Sequence, residues 1–157
     1  ADRPRASWQH EGRQLTMATE PLDMRSLVQA AGDAPWSGIP AGTAMGHLHL
    51  HVGDLASASR FYHDALGLDR VVWDYPGALF LSAGGYHHHL GLNTWAAGAP
   101  PAGPTDARLL SWEMQFPSAR DVDAALASVE AAGHSVERDA DGGTVRDPWG
   151  TALRLRG

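Results

Sequence analysis

Neutral imidazole is the commonest protein ligand for metal ions and the side chain best suited to proton transfer near neutral pH. In this chain of 157 residues, six of the nine histidines stand in two short segments. His47, His49 and His51 alternate in Gly46-His-Leu-His-Leu-His-Val52, and His87-His88-His89 form the second group. Alternate residues of a β-strand share a face. The first segment therefore reads as a strand with Leu48, Leu50 and Val52 on a buried side and a row of imidazoles on the other. Such a row can hold a divalent cation or move protons. The chain has no cysteine, which excludes disulfides and thiolate metal sites.

Composition narrows the partners. Formal net charge is −6, which argues against nucleic acid. All twelve basic residues are arginine. No apolar run approaches a membrane span, and the first residues lack the apolar core of a signal peptide. These features lead to the expectation of a cytoplasmic protein without a membrane partner. A hydrophobic fraction of 43% is ordinary for a globular domain.

The elements that must position the histidines recur along the chain. Residues 1–44 form a lead segment or connector with one short helix, from Pro21 or Leu22 to Ala31. From residue 45 to 97 the pattern is a strand at His47–Gly53, a helix capped by Asp54 and ended by Gly67, and strands at Arg70–Tyr75, Ala78–Ala83 and His87–Trp95. A Pro/Gly/Ala-rich linker covers 98–108. From 109 to 157 the same order returns: Leu109–Phe116, a helix opened by Ser118 and Asp121 and ended by Gly133, then Ser135–Arg138, Gly143–Arg146 and Thr151–Arg156. A unit repeating at roughly 60 residues signals internal duplication. Trp73, Phe80 and Trp112 are expected in the core. The fold class is α+β, with tandem βαβββ modules.

Two such modules in tandem resemble the vicinal oxygen chelate family of glyoxalase I, bleomycin-resistance proteins and type I extradiol dioxygenases. The stretch His47-Leu-His-Leu-His-Val-Gly-Asp-Leu55, followed by Phe61-Tyr-His-Asp-Ala-Leu-Gly-Leu68, is similar to the opening of a family unit. Arg146-Asp-Pro-Trp-Gly-Thr-Ala-Leu-Arg154 is similar to its close. The resemblance implies a curved, half-open eight-stranded barrel with its helices outside. A narrower similarity joins Leu81–Trp95 to the C-terminal half of catechol-2,3-dioxygenase-like proteins, whose N-terminal half ends before an Asp-Arg-Pro like Asp2-Arg3-Pro4 here. It implies that this chain is the second half of a longer protein, with the N-terminal half as its missing partner.

In the family a metal is held by a histidine of the first strand, a histidine of the fifth and a glutamate of the eighth. The resemblance puts these positions at His47, Ser111 and Arg154. Serine is a poor ligand, and a guanidinium repels a cation. A rebuilt set of His47, His49, His89 and Glu113 is conceivable, for Fe(II) or for Mn(II), Zn(II) or Ni(II). The alternative is a metal-free, hydrogen-bonded cleft. Strand alternation sends His87, His89, Asn93, Trp95 and Ser111 into that cleft and His88 under the helix, and the resemblance places Arg154 there at the family's glutamate position. With a metal bound in this cleft, His49 or His51 would be the candidate acid–base group. Two functions compete. One is a metal-dependent, ring-cleaving oxidoreductase acting on a small aromatic substrate, inactive as this half alone. The other is a non-catalytic scaffold or small-molecule-binding module of the bleomycin-resistance type. Open sheet edges suggest a homo-oligomer, such as a dimer.

Overall fold

The structure is a computed structural model. It describes residues 3–18, 20–33, 35–100 and 102–157, and the chain divides into two compact units at Gly46/His47. In the first unit, a single 3-10 turn (Arg5–Ser7) precedes a two-stranded antiparallel hairpin of β1 (His10–Glu11) and β2 (Gln14–Leu15). Helix α1 spans Met24–Ala31. It starts two or three residues later than its apolar spacing suggests, because Asp23 caps it: the carboxylate accepts from the Ser26 amide at 3.0 Å and from the Ser26 hydroxyl at 2.7 Å.

The second unit carries both modules. The first comprises β3 (Leu48–His51), α2 (Leu55–Ser59), β4 (Asp69–Val72), β5 (Ala78–Ser82) and β6 (Leu90–Asn93). Asp54 caps α2 through the Ser57 amide at 2.7 Å. The helix continues as a wider π-helical stretch over Arg60–Ala65, which buries Phe61, Tyr62 and Ala65. The second module comprises β7 (Ser111–Gln115), α3 (Ala119–Ala131), β8 (Val136–Asp139), β9 (Gly142–Arg146) and β10 (Ala152–Arg156).

The strand orders are β3-β6-β5-β4 and β7-β10-β9-β8, with β3 parallel to β6 and β7 parallel to β10. Position for position these are one topology, which is the duplication read from the sequence. The fold is α+β, and its eight strands form two four-stranded sheets that are not closed into a barrel. One hydrophobic core serves both modules. Leu50, Val52, Phe61, Leu81, Leu90 and Leu92 of the first join Val122, Leu126, Val129, Val145, Leu153 and Leu155 of the second. Each fully buried leucine contributes on the order of 2 kcal/mol. Tyr62 binds the modules further, donating its hydroxyl to Asp147 at 2.9 Å.

Three aromatic expectations resolve differently. Phe80 is buried and Trp112 packs half-buried against the core, whereas Trp73 is 45% exposed. β4 ends at Val72, so the alternation that would carry Trp73 inward stops before it. Among the described residues, no helix is long and apolar enough to cross a membrane.

Candidate metal and ligand site

Leu48, Leu50, Leu90 and Leu92 pair across β3 and β6 and face the helices. Their alternates, His49 against Gly91 and His51 against Asn93, therefore face the other way. Gly91 is what admits His49 to this surface. A Cβ at Gly91 would lie 2.9 Å from His49 Cε1 and 3.0 Å from both ring nitrogens. The imidazole thus rests flat against the neighbouring backbone, with Phe80 edge-on beside it at 6.1 Å.

The second histidine group does not continue the strand. β6 begins at Leu90, and Gly84 and Gly85, both at positive φ, turn the chain before it. In this irregular stretch side chains are freed from alternation. His88 swings to the His47/His49 side, where only 6% of it is exposed, rather than lying beneath the helix. His88 Nε2 meets His49 Nε2 at 3.1 Å, and His88 Nδ1 meets His87 Nδ1 at 2.8 Å. The His47 ring lies 4.5 Å from that of His88 and 5.3 Å from that of His49. Phe80 closes the floor, 5.1 Å from His88.

Burial, reinforced by the neighbouring His47, His87 and His49, pushes His88 down to about 3. Burial, then His47, also lowers His49. Both rings are therefore neutral at physiological pH, the form that ligates metal. Ligand nitrogens of His47, His49 and His88 all lie within 4.8 Å of one another. Metal–nitrogen bonds of about 2.0–2.1 Å imply ligand separations of roughly 3.0–3.4 Å. A divalent cation thus fits this donor set after small ring rotations.

His51 is a separate feature of the same face. Its Nδ1 is 2.6 Å from Asn93 Oδ1, which also accepts from the Trp95 amide at 3.3 Å. That second donor identifies the atom as the oxygen, so His51 Nδ1 is the donor in this pair. The Trp95 ring lies over Gly77, and its indole N–H donates to the Pro76 carbonyl at 3.3 Å. His89 is turned back onto the preceding turn, its Nδ1 accepting from the Ala83 amide at 3.1 Å.

The second sheet presents a different surface. Arg154, opposite Glu113 in the register, makes a two-pronged pair with Asp139 at 2.6 and 3.0 Å. Its Nε lies 4.0 Å from Glu113, which also faces Arg156 at 3.6 Å. The hydrogen bonds from Arg154 hold the Asp139 carboxyl below its ordinary range. Ser111 is exposed at the start of β7. Of the four residues in the rebuilt set, the structure brings His47 and His49 together. It supplies His88 in place of His89, and it leaves Glu113 in the arginine network. Sequence reading missed His88 and Gly91. Their signal was the Gly84-Gly85 pair, which cuts the strand short, and a lone glycine opposite a histidine.

Two βαβββ modules of one topology, with a histidine-lined face opposite the helices, define the class of fold. The chain belongs to the Glyoxalase/Bleomycin resistance protein/Dioxygenase superfamily, whose family model matches residues 44–155. It is 43% identical over 152 residues to the catechol-2,3-dioxygenase of Bacillus subtilis (strain 168), a match that takes in 94% of this chain and 53% of that protein. The chain thus spans about half the length of that curated relative. Among solved structures, a lactoylglutathione lyase from Agrobacterium tumefaciens superposes with a TM-score of 0.55 at 20% identity, covering 74% of this chain and 95% of that one. A glyoxalase/bleomycin resistance protein from Streptomyces sp. CB03234 gives 0.52 at 24% identity, with 69% and 96% covered. These structural likenesses bear on fold alone.

Proposed function

We propose that this chain is the C-terminal half of a metal-dependent, ring-cleaving oxidoreductase of the catechol 2,3-dioxygenase type, with its histidine face turned to a small aromatic ligand. The observation that carries this reading is the 43% identity to a catechol-2,3-dioxygenase along nearly the whole chain, over half the relative's length. A divalent cation on this face would supply positive charge to a diolate and fix its orientation. The protein's own groups do the rest. Phe80 offers an aromatic wall beside the imidazoles. His51, its Nδ1 proton committed to Asn93, offers Nε2 to accept a proton from a phenol.

A second reading is favoured by the other sheet. Ser111 and Arg154 stand where the family resemblance puts two metal ligands, and Arg154 is bound to Asp139. The triad of the family is thus lacking in this half, which suits a scaffold or a ligand-binding role for the half alone. Oxygen consumption with catechol separates the readings. The isolated chain is expected to show none, and the chain joined to its N-terminal half is expected to cleave the ring. Turnover by the isolated chain would refute the auxiliary role, and no turnover by the joined protein would refute the dioxygenase assignment.

A further inference from the structure

The histidines of the first module make a complete donor set without any carboxylate. We propose that His47, His49 and His88 form an all-imidazole site for a late first-row divalent cation such as zinc, built entirely within the first module. The inference goes beyond the reading above: it names the ligands and the class of ion for this half alone, whatever metal serves ring cleavage.

The ligand geometry is nearly formed. His49 Nε2 and His88 Nε2 already lie at a ligand–ligand spacing, 3.1 Å apart. A cation between them requires both Nε2 atoms to be bare. His88 must then carry its proton on Nδ1, where the His87 Nδ1 acceptor lies 2.8 Å away. His87 thus does for His88 what outer-shell acceptors do for metal-bound histidines: it fixes the tautomer and aims the lone pair. Gly91 does the equivalent for His49, since any side chain there would push the ring off the sheet. His47, exposed at the mouth, closes the set. With His88 buried and His47 and His49 open to solvent, the remaining coordination positions face water or a ligand.

The donor chemistry selects the ion. Three neutral imidazoles suit zinc, copper and nickel, whereas manganese and ferrous iron are better held where carboxylate oxygens contribute. The carboxylate of the speculative rebuilt set, Glu113, is paired with Arg154 and Arg156. Among the described residues, no acidic group joins the three histidines within ligand reach.

The test uses tag-free protein stripped with a chelator. Calorimetric titration with Zn(II) is expected to give one equivalent. Mn(II), and Fe(II) under anaerobic conditions, are expected to bind at least 100-fold more weakly. Co(II) is expected to give the visible absorption of a low-coordinate nitrogen site. His88→Ala and His47→Ala should each weaken zinc binding by 10-fold or more. Gly91→Ala should do so with an unchanged far-UV spectrum, and His10→Ala should have no effect. Absence of stoichiometric zinc, zinc binding indifferent to His47→Ala and Gly91→Ala, or equal affinity for Mn(II) would each overturn the proposal. None of these readouts depends on catechol turnover, so the site and the dioxygenase reading fail separately.

Discussion

Tyr62 is fully buried, and its hydroxyl donates to Asp147, whose other oxygen is held by the amides of Trp149 at 3.0 Å and Thr151 at 2.8 Å. Burial raises the phenol far above its ordinary value, and the facing carboxylate adds to the shift. The sign follows directly. Above about pH 10 the unfolded chain loses this proton and the native state keeps it, so stability falls as pH rises, by up to about 1.4 kcal/mol per unit. The chain contains no lysine and no cysteine, and only three tyrosines. Between pH 9 and 12 little else can titrate. Urea unfolding of the wild type is expected to lose stability steeply from pH 10 to 11.5. Tyr62→Phe should start about 1 kcal/mol lower at pH 7 for the lost hydrogen bond, but should decline much less over the same range. Parallel declines of the two proteins would show that Tyr62 is not the group responsible.

Within the elements, turn chemistry decides which expectations hold. β8 and β9 are joined by Ala140-Asp141, and Gly142 opens β9 at φ 142°, where a Cβ would collide with the Leu155 carbonyl of β10. Gly142→Ala is expected to cost about 3 kcal/mol, from backbone strain of 1–3 kcal/mol plus the clash, read as a lower urea midpoint at unchanged slope. An unaltered midpoint would mean the hairpin relaxes freely. The same logic explains what the sequence disclosed. Both modules were legible because period-2 and helical patterns recur with caps at Asp54 and Ser118 and with glycine stops at Gly67 and Gly133. The His47/His49 face was legible because β3 is a true strand. His88 was not, because strand alternation does not reach it: the strand starts only at Leu90. Nor could the sequence reveal that Arg154 is held by Asp139. That pair depends on how β8, β9 and β10 register, which no local pattern encodes.

At the level of the whole second unit, the two modules have diverged on one surface while sharing the other. The open face of the first is lined by imidazoles, and that of the second by the network of Arg154, Arg156, Glu113, Asp139 and Asp141. The helix-side core, by contrast, runs unbroken between them, with Phe61 against His134 at 4.9 Å and Tyr62 near Trp112 at 6.4 Å. The second module therefore supports the first through packing. Two variants separate these contributions. Arg154→Ala removes part of an exposed ion-pair network and is expected to cost less than about 1 kcal/mol. Leu126→Ala empties a fully buried position on α3 and is expected to cost about 2–5 kcal/mol. Because the core is continuous, that loss should reach the histidine face. Hydrogen exchange of the β3 and β6 amides should accelerate together with that of β9 and β10, in one cooperative opening. Faster exchange confined to β7–β10 would show instead that the modules are energetically separate, and that the histidine face stands on the first module alone.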